Sequence, residues 1–473
     1  MLDIKGYESG EKILGFFEEL SKIPHGSGNT GRIVDYLEDF AKARGLCYVR
    51  DGSDNIIIRK KATPGYENRP GVIFQGHTDM VAEKALGKDI DMENEGLTLI
   101  REGDILKADG TTLGADDGVA IAYALAVLDS DDIPHPDFEA VLTSDEEIGL
   151  IGAAALDPKA VKNRLLINID SDMEGIFTVG CAGGMRSDIS LPVKREDEET
   201  DLYKLTLAGF KGGHSGMEID KGRINPLKLI GEILVHKNAL LADIGGGSAD
   251  NAIPREATAI FKADKATAEI IKRVANDAVS GVKEIEEGAY FELNQADFSA
   301  RVLDSESTDR ILSLICKVPS GVIAMSVDTP GMVETSLNLG IMKCDADSFN
   351  ISFSVRSAKG KEKRALGDRL AAIAKEFGAS YGERGDYPAW EYRKNSHLRE
   401  VMVRVYERMY SKSPEIITIH AGLECGIFSE KMPEVDCVSI GPDSFDIHTP
   451  KERLSISSFV RVWEYLKQVL AEI

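Results

Sequence analysis

Cysteine is scarce in this chain. Cys47, Cys181, Cys316, Cys344, Cys425 and Cys437 are the only six in 473 residues, and none forms a CxxC pair. That excludes a disulfide-rich scaffold and suits a reduced compartment, where thiols pack as small apolar groups. Long apolar stretches are missing too: no run approaches the about 18 residues of a candidate membrane span. The start, Met1-Leu-Asp-Ile-Lys-Gly-Tyr-Glu, lacks a basic stretch followed by an apolar one. The expectation is a soluble, cytoplasmic protein. Positive charge is in deficit, since 56 Lys and Arg against 79 Asp and Glu leave a net charge of -23. Such a surface repels phosphate backbones, which argues against nucleic-acid binding. Internal repeats and low-complexity segments are absent.

What is present is enough apolar residue, 43%, for more than one core. Periodicity predicts helices over 11–21, 29–44 and 117–128, and another after Gly149. They alternate with strands over 55–59, 71–75, 139–143 and 165–169. Such alternation predicts an α/β fold: a mixed, mostly parallel twisted sheet with helices on both faces. The pattern changes near Cys181-Ala-Gly-Gly. The acidic segment 194–201 reads as a solvated loop or hairpin tip, after which Tyr203, Leu205 and Leu207 alternate with polar residues, as on a one-sided sheet. Strands over 256–262, 291–294, 333–341 and 349–355, with helices over 226–236, 267–286, 307–315 and 361–377, make an α+β region with antiparallel pairing. Beyond Pro388-Ala-Trp390 the α/β style returns, with a helix over 397–410, strands over 415–419 and 435–440, and a closing helix over 455–470. The expected organisation is a first domain built from 1–184 and 387–473, with 185–386 inserted.

Three apolar runs deliver polar groups at their ends, where open α/β sheets bind ligands. The first leads into Gly76-His77-Thr78-Asp79, a spacing that puts both side chains on one side of a strand end. The second leads into Asp145-Glu146-Glu147, a ligand beside a free base, and the third into Asp170. Asp116 and Asp117 occupy a glycine-bounded turn before a helix, where a carboxylate can lie between two cations. His448 sits in a loop after a late strand. Two histidines and several carboxylates suit zinc or manganese better than calcium. Singly, each group has an ordinary reading: a cap, a solvent-facing acid, a satisfied loop histidine. Their common position after strands and glycine turns is what makes them a two-ion ligand set.

The segments Gly76-His77-Thr78-Asp79-Met80, Leu113-Gly-Ala-Asp116-Asp117-Gly118, Asp145-Glu146-Glu147-Ile-Gly149, Asn168-Ile-Asp170, Gly213-His214-Ser-Gly216, His420-Ala-Gly-Leu-Glu424 and His448-Thr-Pro450 run essentially end to end. Together they resemble the M20-type metallopeptidase family, which includes carboxypeptidase G, peptidase T and aminoacylase, and above all its aminoacyl-histidine dipeptidase branch. The resemblance implies a zinc-peptidase-like catalytic domain with an inserted α+β lid or dimerisation domain. It implies two divalent ions, zinc first with manganese or cobalt as alternatives, and hydrolysis of Xaa-His or other dipeptides. His77 and Asp170 would hold one ion, Glu147 and His448 the other, and Asp116 would bridge them and precede a cis peptide. Asp79 would orient His77, and Glu146 would be the base for a water shared by the ions. His214 would reach the substrate carbonyl, often in a partner subunit's site. Asn251, Arg356 and His420 would contact substrate, with Arg356 on its C-terminal carboxylate. Without the family, His214 reads as a polar turn residue and Arg356 equally well as a strand-end ion pair. Charge complementarity would set Glu424 against a peptide's free amino group. A small peptide substrate and a homodimer are the expected partners. The alternatives are an N-acyl amino acid amidohydrolase or deacetylase on the same scaffold, or a non-catalytic binding protein with a decayed site.

Overall fold

Every residue of the strands Val72–His77 and Phe138–Thr143 is buried, as strands covered on both faces must be. They lie at the centre of an eight-stranded sheet. Its order is Cys47–Arg50, Ile56–Lys60, Phe138–Thr143, Val72–His77, Leu165–Asn168, Asp436–Ser439, Ile176–Cys181 and Glu415–Ile419. The four central strands, from Phe138–Thr143 to Asp436–Ser439, are parallel. Their neighbours on either side pair antiparallel. The expected parallel character is therefore confined to the centre. Cys47–Arg50 and Ile56–Lys60 are joined by so short a loop that the chain can only turn back.

The computed structural model describes residues 4–473, and all their side chains but those of 197–199. Met1, Leu2 and Asp3, on which the expectation about the start partly rests, lie outside the described residues. The chain divides into two compact units, one of Met1–Cys181, Tyr392–Thr418 and Leu423–Ile473, the other of Ala182–Glu391 and Ile419–Gly422. In the first, helix Glu11–Ser21 buries the stripe Ile13, Leu14, Phe16, Phe17 and Leu20. Helix Ala115–Leu128 is buried almost throughout, because its residues are apolar on all sides. Tyr123 packs at a tilt against Phe459 and stacks on Trp463 of the closing helix Ile456–Glu472, with centroids 4.8 and 5.9 Å away.

Among the described residues the second unit has two larger antiparallel sheets besides the two-stranded pair of Gly213–His214 with Ala252–Ile253. One orders Leu240–Gly245, Ala257–Lys262, Arg195–Ala208 and Tyr290–Leu303; the other orders Gly321–Met325, Val333–Cys344, Ser348–Ser357, Gly183–Pro192 and Ser380–Tyr387. Helices Lys265–Gly281 and Ser305–Lys317 start at Asp264 and Asp304, whose side chains accept backbone N–H bonds at 2.7 Å. The acidic segment 194–201 is not a loop: all but its first residue belong to the long strand Arg195–Ala208, which pairs there with Tyr290–Leu303 across a register shift. Cross-strand pairing overrides the local charge. Among the described residues no helix is long and apolar enough to cross a membrane.

Candidate metal centre and substrate-binding residues

Four parallel neighbours end on the same edge of the sheet, and each releases a functional loop there. Val72–His77 delivers His77. Gly76 precedes it because a Cβ there would come within 2.2 Å of Asp117 Oδ2 and 2.4 Å of Ala120, so only glycine lets the strand lie against the start of helix Ala115–Leu128. That packing brings Asp116 to His77, and the Asp116–Asp117 peptide is cis. Phe138–Thr143 is followed by Glu146 and Glu147, Leu165–Asn168 by Asp170, and Asp436–Ser439 by the loop bearing His448.

The geometry is that of two overlapping donor sets. His77 Nε2 lies 3.0 Å from Asp116 Oδ1 and 3.9 Å from Asp170 Oδ1. His448 Nε2 lies 3.1 Å from Asp116 Oδ2 and 2.9 Å from Glu147 Oε1. Donor atoms of His77, Asp116 and Asp170, and those of Asp116, Glu147 and His448, fall within 4.8 Å of one another, and so do those of His77, Glu146 and Glu147. His77 Nδ1 is 2.9 Å from the Asp79 carbonyl oxygen. A carbonyl only accepts, so Nδ1 carries a proton and Nε2 is the ring nitrogen turned toward Asp116 and Asp170.

Asp79 thus orients His77 through its main chain. Its carboxylate, 3.5 Å from that ring, accepts from Ser27 Oγ at 2.8 Å, from Glu146 N at 2.9 Å and from Glu147 N at 3.3 Å. It fixes the turn that presents the two glutamates.

The crowding displaces the titration of Asp116, Asp170, Glu146 and His448. Burial works to raise Asp116, but His448 and His77 outweigh it and hold the carboxyl below its ordinary range. Burial, with the Asp116 charge adding, pushes Asp170 well up. Burial, opposed by His77 and reinforced by Glu424, Glu147 and Asp116, pushes Glu146 up to about 8. Asp116 and Glu147 together push His448 up to about 10. Without cations, protons have to fill the gaps between these groups. Glu147 Oε1 is buried and lacks a hydrogen bond, although His448 Nε2 is 2.9 Å away. Close donors out of hydrogen-bond alignment fit an ion between them, and the nitrogen and oxygen atoms would suit zinc, manganese or cobalt.

Beneath the edge lies a buried polar network. Glu424 is fully buried and accepts from Gln75 Nε2 and, at 2.7 Å, from Thr143 Oγ1, while its Oε1 has no partner. Asn168 Nδ2 donates to Gln75 Oε1 at 2.7 Å. Gln75 and Asn168 stand inside apolar strand runs; that contrast was the readable signal for this network. Asp443 accepts from Glu174 N, and Asp446 pairs with Arg453.

A second cluster belongs wholly to the second unit. His214 pairs with Ala252 on a two-residue ladder, and Ser215 N donates to the carbonyl of Asn251 at 2.8 Å; the Asn251 residue is exposed. Gly216 N and Met217 N donate to His214 Nδ1 at 3.2 and 3.1 Å, so its proton is on Nε2, a free donor. Glycine is required at 213, where φ is +144° and a Cβ would meet Glu218 Oε2 at 2.5 Å. Fully buried Glu286 accepts from Lys211 N at 2.7 Å and Ile224 N at 3.0 Å, holding both ends of the loop.

Arg356 is buried. Its Nη1 donates to the Tyr387 hydroxyl at 3.0 Å, and its Nε has no partner. His420 Nε2 meets Ser336 Oγ at 2.7 Å and its Nδ1 is unpartnered. Burial and then the Arg356 charge push both His214 and His420 down, the latter to about 3.

Known proteins share this architecture over its whole length. Residues 73–472 match the model of peptidase family M20/M25/M40. The chain is 37% identical to the cytosol non-specific dipeptidase of Escherichia coli over 475 residues, 98% of each chain. The crystal structure of an aminoacylhistidine dipeptidase from Vibrio alginolyticus superposes with a TM-score of 0.94 at 33% identity, covering 100% of this chain and 99% of that one. An aminopeptidase from Bacillus cereus shares the fold at 18% identity, with a TM-score of 0.61 and 98% of each chain covered. With a family match across most of the sequence and a close relative along nearly all of it, this chain belongs to peptidase family M20/M25/M40 and is a hydrolase.

Proposed function

We propose that the chain hydrolyses dipeptides at a centre for two divalent metal ions, zinc first. The observation that carries this is Asp116, whose two carboxylate oxygens face different histidines, His77 at 3.0 Å and His448 at 3.1 Å. His77, Asp116 and Asp170 would hold one ion, and Asp116, Glu147 and His448 the other. Bound ions supply Lewis acidity and lower the pKa of water. Glu146 takes a proton from the water that attacks the scissile carbonyl carbon, then returns it to the amine nitrogen as the C–N bond breaks. His214 Nε2–H donates to the carbonyl oxygen as it gains charge. Arg356, with its unpartnered Nε, takes the C-terminal carboxylate, beside Asn251 and His420. The unpartnered Oε1 of Glu424 takes a free amino group. Six free cysteines agree with a cytoplasmic location. A homodimer is supported by the outer strand Gly321–Met325, where Val322, Ile323 and Met325 are exposed.

The test is hydrolysis of free and N-acylated dipeptides by metal-stripped enzyme reloaded with zinc, manganese or cobalt. Free dipeptides should be cleaved only after reloading, and Glu146→Gln should lose at least about a thousandfold in kcat with metal still bound. Glu424→Gln should blunt the preference for free over N-acetylated peptides. Cleavage of N-acylated substrates alone, or near-normal turnover by Glu146→Gln, would overturn the reading.

A further inference from the structure

Glu452 is 3% exposed, yet it lies in the loop only four residues beyond His448. Its carboxylate reaches across more than three hundred positions of sequence to the turn that carries Asp116. Oε2 accepts from Leu113 N at 2.6 Å and Gly114 N at 3.1 Å. Oε1 accepts from Ala115 N at 2.8 Å and Asp116 N at 3.5 Å. These are the backbone donors of the turn that leads into helix Ala115–Leu128, where Asp116 and Asp117 depart from helical dihedrals and no helical hydrogen bond uses the N–H groups. A carboxylate is matched to that place by having two accepting oxygens for four donors. An amide would turn an NH2 group against two of them. At the other end the loop is stiff. Glu452 N donates to the Thr449 carbonyl at 3.0 Å, Thr449 Oγ1 to the Asp446 carbonyl at 2.7 Å, and Arg453 to Asp446 Oδ2 at 2.8 Å. His448 itself is held at φ +62°.

We infer that Glu452 is a positioning residue of the metal centre: one buried carboxylate locks the loop of His448 to the turn of Asp116, so that ligands from opposite ends of the chain keep one spacing. The inference rests on the two-ion reading above. Asp116 belongs to both donor sets and His448 to one, so slack between them loosens the ion they share first.

The experiment is titration of the metal-stripped full chain with Co2+, reading affinity by calorimetry and coordination by the visible Co(II) absorption, well below the unfolding temperature. Glu452→Gln should bind at least one of two ions about 10–100-fold more weakly, the usual effect of losing a partner that orients ligands, and its spectrum should change. A role confined to capping the helix would lower the unfolding temperature of the metal-free chain and leave both affinities and the spectrum alone; that result overturns the inference. If Glu452→Gln does not fold, Glu452→Asp decides, since the shorter carboxylate should still cost about tenfold in Co2+ affinity and unchanged binding counts against it. Should the wild-type chain take up no Co2+, the two-ion reading fails and this assignment falls with it. Two tight ions in both wild type and Glu452→Gln remove the assignment alone.

Discussion

His420 is 7% exposed, and burial together with Arg356 pushes its imidazole down to about 3. In the unfolded chain the same ring titrates near 6.5. Between those values the unfolded state binds the proton more readily, so stability is complete above about pH 6.5 and declines as pH falls toward 3. At pH 5 a shift of this size is worth about 2 kcal/mol. The drop in thermal midpoint from pH 7 to pH 5 should therefore be smaller in His420→Gln than in wild type; equal drops mean that the ring is protonated in the fold. Residue by residue, the groups legible beforehand were those in local motifs: His77 after its strand, Asp116 in its glycine turn, Glu146 beside Glu147. Glu452 and Glu286 were not legible. Their partners are backbone N–H groups far away in sequence, and a backbone donor leaves no mark on residue type. Asp79 illustrates the same limit, because its spacing from His77 was readable but the choice between main chain and carboxylate was not.

At the scale of elements, three lysines finish helices that the chain cannot finish locally. Lys60 donates to the carbonyls of Val127, Leu128 and Ser130, Lys431 to those of Ala153, Ala154 and Leu156, and Lys228 to those of Ile315, Cys316 and Val318. Each places a cation on the negative end of a helix and satisfies its last acceptors. Lys228→Met leaves those of Ser305–Lys317 unpaired, and should weaken that helix by about 2 kcal/mol. Native-state hydrogen exchange of its last-turn amides would accelerate accordingly; unchanged rates would mean that water replaces the ammonium. Helices and central strands were legible because Ile13, Leu14, Phe17 and Leu20 keep a helical period, and Val72, Ile73 and Phe74 a continuous apolar run. Cys47–Arg50, Leu99–Glu102 and Gly321–Met325 were not. They have no fully buried residue, so only the neighbouring strand makes them strands.

For the whole molecule, the candidate roles follow the division of cores except at Glu424, which lies in the same unit as the candidate metal ligands. His77, Asp116, Glu147, Asp170 and His448 all belong to the unit that breaks off at Cys181 and resumes at Tyr392, whereas His214, Asn251, Arg356 and His420 belong to the other. The change of pattern at Cys181-Ala-Gly-Gly could be read in sequence, but nothing announced the return of Ile419–Gly422 to the second unit. Four residues carry no periodicity. An ion that binds only the folded state stabilises whatever its ligands hold together, by about 2.7 kcal/mol at a hundredfold excess over Kd. Here the candidate ligands would tie together 77, 116, 147, 170 and 448, segments that the chain otherwise joins through packing and a few hydrogen bonds such as those of Glu452 and Asp79. Chelation of the metal should therefore raise hydrogen exchange in 113–118, 145–150 and 441–452. It should leave the paired strands Arg195–Ala208 and Tyr290–Leu303 as protected as before, because no candidate ligand lies on either. Faster exchange spread evenly through both units would mean that the ions hold up the molecule as a whole, and unchanged exchange around Asp116 and His448 would mean that those loops are set without them.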